Sequence, residues 1–394
     1  MKNKVLIVAL FALIGSSLLS CGNTTEPTSN PSTKPTSMTT SQSTTQYSTD
    51  YVLELTELDN VDFHTDVQKA YLNDDYRNVT KYANGKSESS RPNAIVLEWE
   101  SVSKVQNAPR IKNYEVMIST QESFSNYDSY ITRDTYYELY NLKIATNYYW
   151  RVVANLQNGL KVLSNVDQFK TMDNGPRNLY VDGVTNVRDV GGWVTSSGNR
   201  VNQGMIIRSG RFNKSESTSP ITEITLEGMD TMLNTLGVKS EIDLRRVDNN
   251  EVGSITSSPI DRSVSYYSCP MNWQGSNILL DNIESVQNVF AILGDTNNYP
   301  VVYHCNIGTD RTGLFAYLIN GLLGVSEEDL YRDYLFSNFG YINGTRDTSG
   351  IEKSYVATIK SYQGETLSAK IRNCLVAIGV VERNIDTMIN MMSM

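Results

Sequence analysis

The sequence predicts an α/β domain with a central, mostly parallel sheet over residues 173–394, preceded by an all-β sandwich over 51–172. Three observations lead there. Between 51 and 172, short β-branched and aromatic runs read as strands at a spacing that suits a sandwich. Beyond 173, helical and strand patterns alternate, as strands covered by helices require. Near residue 305, a loop joins an apolar strand run to an apolar helix run, which places it at the carboxyl end of a strand.

Lys2 and Lys4 precede an apolar run from Val5 to Leu19, which has the length of a secretory signal core and falls short of a comfortable membrane span. The run ends in Leu18-Leu-Ser-Cys21, which resembles a bacterial lipoprotein cleavage site. Residues 1–20 are therefore read as a lipoprotein-type signal peptide, and Cys21 as the lipid-carrying first residue of the mature chain. Several acyl chains, at about 0.8 kcal/mol per buried methylene, would hold the protein on the extracytoplasmic face of the cell membrane. Residues 21–50 are rich in Ser, Thr and Pro with few large apolar side chains; such a stretch cannot offset the entropy of ordering and is expected to be a flexible tether.

Runs 94–100, 113–119, 136–140 and 147–154 read as sandwich strands. The stretch from Tyr51 to Arg91 fits this pattern poorly. In the second domain, a helix is expected near 222–236, strands near 240–244 and 264–268, and a helix near 284–293. A strand over 299–303 and a helix over 314–323 follow, and the residues around Leu375, Ile378 and Met388 suggest closing helices. About 220 residues suffice for one well-buried core.

The loop reads His304-Cys-Asn-Ile-Gly-Thr-Asp-Arg-Thr-Gly313. At the start of a helix the first amides lack internal partners and carry the positive end of the macrodipole. The backbone N–H groups of Asn306, Ile307, Gly308, Thr309, Asp310 and Arg311 could converge on phosphate oxygens, and Arg311 would add a planar fork that grips two of them. The same field acts on Cys305. An ordinary thiol, with a pKa of about 8.5, is only a few per cent ionised near neutrality, and the loop favours its thiolate. In-line attack of that thiolate on phosphorus would give a phosphocysteine that water then hydrolyses. Thr312 would donate to the thiolate and ease its departure. A proton donor is still needed for the leaving oxygen. Asp310 is the first candidate, with Asp243 and Asp281 as alternatives from upstream segments.

From about Asn174 onward, the chain resembles the bacterial secreted tyrosine-phosphatase family whose loop reads His-Cys-x-x-Gly-Lys-Asp-Arg-Thr-Gly, a group that includes dual-specificity and phosphoinositide phosphatases. Asn186-Val-Arg-Asp-Val-Gly-Gly192, Gly204 to Gly210, Asp243-Leu-Arg245 with Glu251, and Gly324 to Asn338 carry the resemblance further. It implies a cysteine-dependent phosphatase acting on phosphotyrosine, with phosphoserine and phosphothreonine as further substrates. The alternatives are a phosphoinositide or inositol-phosphate phosphatase and, outside enzymes, a surface binding or adhesion protein with an inactive phosphatase fold. Thr309 stands where the family usually has lysine, which weakens the phosphoinositide alternative. Arg188 and Asp189 are read as a structural pair. Arg208 and Arg245, near the loop mouth, are auxiliary candidates for a second phosphate or a phosphopeptide, and His304 is expected to steady the cysteine. Residues 51–172 resemble a fibronectin type III module, with Trp99 as core tryptophan and Leu142, Thr146 and Tyr148 leading into a late strand. The module is read as a spacer presenting the enzyme, with binding of wall polymer, glycan or protein as the alternative.

A formal charge of −9 disfavours nucleic-acid partners, which need many Lys and Arg contacts. Two histidines far apart in sequence argue against a metal centre, and no nucleotide, dinucleotide or calcium loop occurs, so no cofactor is expected. Four cysteines provide no disulfide framework, because Cys269 and Cys374 are isolated beside Cys21 and Cys305.

Overall fold

The computed structural model describes residues 46–213, 223–248, 251–252 and 255–393. The expected signal segment, Cys21 and the expected tether up to residue 45 lie outside the described residues. The tether was expected to run free to residue 50, but Gln46 to Asp50 are tied to the sandwich: the Ser48 amide donates to the Lys161 carbonyl at 2.7 Å, and the Lys104 amide to the Asp50 carbonyl at 2.8 Å.

The sandwich starts with β1 (Tyr51–Leu55) and β2 (Asn60–Val61), then leaves through helix α1 (Asp66–Leu72) and a 3₁₀ turn over Tyr76–Lys81. It resumes with β3 (Ile95–Ser103), β4 (Ile111–Ser119), β5 (Asp128–Thr132), β6 (Tyr136–Leu139), β7 (Asn147–Leu156), β8 (Lys161–Leu163) and β9 (Asp167–Thr171). One sheet has the order β1-β3-β6; the other runs β2-β9-β7-β4-β5, with β8 beside β7. Period-2 alternation decides the faces: Ile95, Leu97 and Trp99 point inward, with exposed residues between them. They share one core with Tyr114, Val116, Trp150 and Val152 of the second sheet. Trp99 packs edge-on against Tyr114 at 5.2 Å. The Tyr148 hydroxyl accepts from the Lys143 amide at 2.9 Å, a corner that pins the entry to β7.

The excursion between β2 and β3 explains why residues 51–91 fit no strand pattern. Thr65 and Gln68 cap α1 reciprocally. Tyr71 and Val79 are buried in the core of the α/β region, where Tyr71 lies 6.3 Å from Phe336 and 5.7 Å from Phe339.

That region contains β10 (Arg188–Asp189), β11 (Ile206–Ser209), β12 (Ser240–Asp243), β13 (Ser265–Ser268) and β14 (Val301–His304), in the order β10-β11-β14-β12-β13. All neighbours are parallel except β10 with β11. Helix α2 (Leu226–Asp230), capped by the Thr225 hydroxyl and continued by a π turn over Thr231–Thr235, starts later than the expected 222–236 helix. The remaining helices are α3 (Ile283–Leu293), α4 (Asp310–Leu322), α5 (Glu327–Phe336), α6 (Thr348–Ile351), α7 (Ala357–Ser361), α8 (Leu367–Ala377) and α9 (Glu382–Ser393). Ile206, Ile242, Val301 and Tyr303 face one core, with α3, α4, α5, α8 and α9. Ile207 and Val302, one residue along, face a second core with α2. Both sheet faces are thus covered, as parallel strands require. Every residue of α4 from Arg311 to Leu322 is buried, and its sequence is apolar on all sides. This helix starts at Asp310, four residues earlier than periodicity suggested, so its first turn belongs to the loop.

Candidate active site

Three parallel strands end together at Ser209, Asp243 and His304, in register. The loop after His304 emerges at that edge from the central strand. Its carbonyls are all occupied. Asn306 O accepts from the Arg211 amide at 3.2 Å, and Thr309 O from the Gly313 amide at 2.6 Å. The Asn186 side-chain amide donates to Ile307 O at 3.1 Å and to Gly308 O at 3.0 Å, and Arg208 Nη2 donates to Gly308 O at 2.8 Å. Among the described residues, no backbone N–H from Asn306 to Arg311 donates to a protein oxygen or nitrogen, and α4 has no side-chain N-cap. A row of free donors at a helix start suits a bound anion. Gly308 makes the turn possible: its φ is +69°, and a Cβ there would fall 2.6 Å from the Ser209 carbonyl carbon and oxygen.

Cys305 is 2% exposed. Burial pushes its thiol up, but the Arg311 charge, with the hydroxyl and backbone N–H of Thr312, outweighs burial and holds the pKa below the ordinary value. The other two described cysteines are controls within the same molecule. Both are free and buried, and burial pushes Cys269 up to about 12 and Cys374 up to about 11. Only Cys305 has a compensating cation.

Arg311 is held from behind. Its Nη1 donates to Leu244 O at 3.1 Å, Met271 O at 3.3 Å and Glu251 Oε2 at 2.7 Å. Among the described residues these contacts fall on Nη1 alone, which leaves Nε and Nη2 as a planar pair of donors of the kind that suits two oxygens of one anion. Thr312 is fully buried, and its hydroxyl finds no oxygen or nitrogen partner, consistent with a role toward the sulfur.

The proton-donor candidates separate clearly. Asp243 is fully buried, paired with Arg245 at 2.7 Å and bonded by the Tyr266 hydroxyl at 2.9 Å. Burial pushes its pKa up, but His304 and Arg245 outweigh that and keep the carboxyl below its ordinary value, and with no exposed surface it lies out of reach of a leaving oxygen. Asp281 sits on a 3₁₀ turn over Leu280–Asn282, where it accepts from the Asn277 amide at 3.0 Å. Asp310 alone borders a cavity of about 480 Å³ beside the loop, next to Tyr334 and Arg346. Its Oδ1 accepts from the Tyr334 hydroxyl at 3.0 Å and from Arg346 Nε at 3.1 Å, and its Oδ2 from Arg346 Nη2 at 3.2 Å.

The auxiliary arginines have internal roles. Arg188 and Asp189 do not pair with each other, because successive strand residues point to opposite faces. Arg188 pairs with Asp333 at 3.2 Å, and Asp189 with Arg177 at 2.6 Å. Arg208 is fully buried between Asp333 and the Gly308 carbonyl, and Arg245 is fully buried against Asp243. Neither reaches the loop mouth, so the expectation of a second-phosphate contact is corrected: Arg208 braces the loop, and Arg245 braces Asp243. His304 Nε2 lies 2.9 Å from Glu241, and Nδ1 lies 3.2 Å from the Cys305 carbonyl, which steadies the strand end. Glu241, Asp243 and His304 cluster closely enough to suggest metal ligands, but Ser258, Arg245 and Tyr266 already engage the two carboxylates.

Sequence reasoning assigned no role to Asn186, Arg211, Asp333, Tyr334 or Arg346. Arg211 Nη1 donates to Asn306 Oδ1 at 2.8 Å, and burial, with Arg245 nearby, pulls its pKa down to about 10. The one available signal was the close repeat Arg208-Ser-Gly-Arg211.

The arrangement places a buried cysteine and a braced arginine on one loop at the start of a helix. The sequence profile of the tyrosine phosphatase family matches residues 179–392, more than half of the chain, and the chain belongs to that family. A Cupriavidus necator protein, provisionally named a tyrosine-protein phosphatase, is 27% identical over 189 residues, covering 42% of this chain and 64% of the relative. This chain thus spans less than two thirds of that relative's length. Among solved structures, the catalytic core of the S. cerevisiae PP-IP phosphatase Siw14 is 17% identical, with a TM-score of 0.27, over 42% of this chain and 87% of that one. The sixth fibronectin type III domain of a human fibronectin type III domain containing protein is 22% identical, with a TM-score of 0.19, over 24% of this chain and 92% of that one.

Proposed function

We propose that the protein hydrolyses phosphotyrosine monoesters in proteins through a phosphocysteine on Cys305. The observation that carries this reading is the placement, on one loop, of a buried thiol, a braced guanidinium and a row of unpartnered amides. Arg311 and the loop amides bind the phosphate dianion and hold the equatorial oxygens as charge redistributes. Cys305 Sγ attacks phosphorus while the bond to the ester oxygen breaks, and Asp310 delivers a proton to that oxygen. Water then hydrolyses the phosphocysteine, with Thr312 donating to the departing sulfur.

The cavity lining favours an aryl monoester over a polyphosphorylated inositol. Its charges balance, with Arg346 and Lys353 against Asp310 and Asp347, and Trp273, Ile278 and Tyr334 offer surface to a ring. Thr309, in the position the family usually gives to lysine, is fully buried and adds no cation. Turnover of phosphotyrosine peptides against inositol polyphosphates tests the choice, and higher kcat/KM on the inositides would overturn it. A membrane location through Cys21 belongs to the same proposal. Radiolabelled palmitate should enter the full chain and not a Cys21→Ala variant, and label in both would sink the anchor.

A further inference from the structure

We infer that Glu88 and Ser90, carried by the excursion between β2 and β3, are positioning residues for the phosphate-binding loop; this rests on the phosphatase reading above. The contacts run in an unbroken series. Glu88 Oε1 accepts from the Ser90 hydroxyl at 2.6 Å and the Ser90 amide at 2.9 Å, and Oε2 accepts from the Thr185 hydroxyl. The Ser90 oxygen in turn accepts from the Asn186 amide at 3.1 Å. Asn186 has a φ of +59°, a left-handed conformation that asparagine tolerates but does not prefer. Its side chain is fixed at both ends: Oδ1 accepts from Arg188, and Nδ2 holds the carbonyls of Ile307 and Gly308.

Ser90 is 2% exposed and Asn186 fully buried, so water cannot replace the Ser90 oxygen. Its loss would leave a buried amide unpaired in a conformation the residue does not favour. The excursion is itself clamped on the far side. The Ser89 amide donates to Phe339 O at 2.7 Å, the Gly85 amide donates to Asn338 O at 2.8 Å, and Arg332 Nη1 donates to the carbonyls of Tyr71, Leu72 and Asp74 at 3.2, 3.3 and 3.0 Å. A segment carried by the sandwich thereby sets where two loop carbonyls point, and with them the amides between.

The test uses the full chain and its Ser90→Ala, Ser90→Thr and Glu88→Gln variants, each below its own melting temperature. Protection of Cys305 from iodoacetamide by inorganic phosphate is followed on the Cys305 peptide, beside kcat and KM for para-nitrophenyl phosphate. For Ser90→Ala we expect half-protection to need about tenfold more phosphate and kcat/KM to fall about tenfold, with Ser90→Thr back within about twofold of the parent. Where Ser90→Ala fails to fold, Glu88→Gln carries the test, with an expected loss of about threefold in the same two readouts. Parent-like protection in a folded Ser90→Ala protein, or in Glu88→Gln where that variant carries the test, overturns the inference. A parent that phosphate protects but that turns over no aryl phosphate overturns the phosphatase reading alone, because protection still reports loop position.

Discussion

At Cys305 the balance between burial and local charge decides the chemistry. Desolvation, helped at Cys269 by the Asp243 charge, sends Cys269 and Cys374 upward, and desolvation at Cys305 is overcome by Arg311 and Thr312. The sign of the pH dependence follows. A lowered thiol pKa stabilises the fold above the unfolded value of about 8.5, and that stabilisation is lost as pH falls through the folded value. Activity should fall over the same acid limb, as the thiolate is protonated. Removing the Thr312 hydroxyl should move the alkylation midpoint of Cys305 upward by about one pH unit and slow turnover about tenfold, with Thr312→Ser restoring both. An unchanged midpoint in Thr312→Ala would remove the hydroxyl from the account. Asp310→Asn should lower kcat by about 100-fold on alkyl phosphates and much less on para-nitrophenyl phosphate, whose leaving group needs no proton. Equal losses on both would take the acid role away from Asp310. Cys305 and Arg311 are legible as candidates because one loop carries both at the spacing the proposed chemistry needs. Asn186, Arg211 and Glu251 come from separate segments, so their convergence on the loop had no contiguous trace.

At the scale of elements, the loop is set by the packing of α5 on the sheet. Asp333, near the middle of α5, takes Arg188 of β10 and Arg208 of β11, and Arg208 reaches on to the Gly308 carbonyl. Burial, with Arg208 beside it, pulls Arg188 down to about 10. Two buried guanidiniums sharing one carboxylate make that carboxylate critical. Asp333→Asn should destabilise the fold by roughly 3–5 kcal/mol in urea titration, by leaving buried charge uncompensated. A loss under about 1 kcal/mol would show that the pairs are dispensable. The strands and the helix after the loop are readable from periodicity, whereas the adjacency of Arg188 and Asp189 in sequence suggests a pair that the structure does not form. On a strand the two are opposed.

At the scale of the molecule, the sandwich and the α/β region share structure. Tyr71 and Val79 belong to the sandwich in sequence and to the phosphatase core in space. An aromatic side chain buries about 150–250 Å², so a chain of residues 173–394 alone would expose the faces of Phe336 and Phe339 that Tyr71 covers. That fragment should unfold at lower denaturant than the full chain, or fail to fold cooperatively. A midpoint equal to that of the full chain would show the two regions to be independent. This dependence left no signal in the sequence, since the partners of Tyr71 lie some 265 residues downstream and local pattern carries nothing about them. The sandwich strands themselves were visible from alternation.

The most direct measurement is acid quench of the full chain during turnover of an aryl phosphate, with EDTA present, followed by mass mapping. We expect a phosphoryl group on the Cys305 peptide, and none, with no turnover, in Cys305→Ser. Undiminished turnover by Cys305→Ser, or a phosphoryl group trapped on another residue, would contradict the thiolate mechanism.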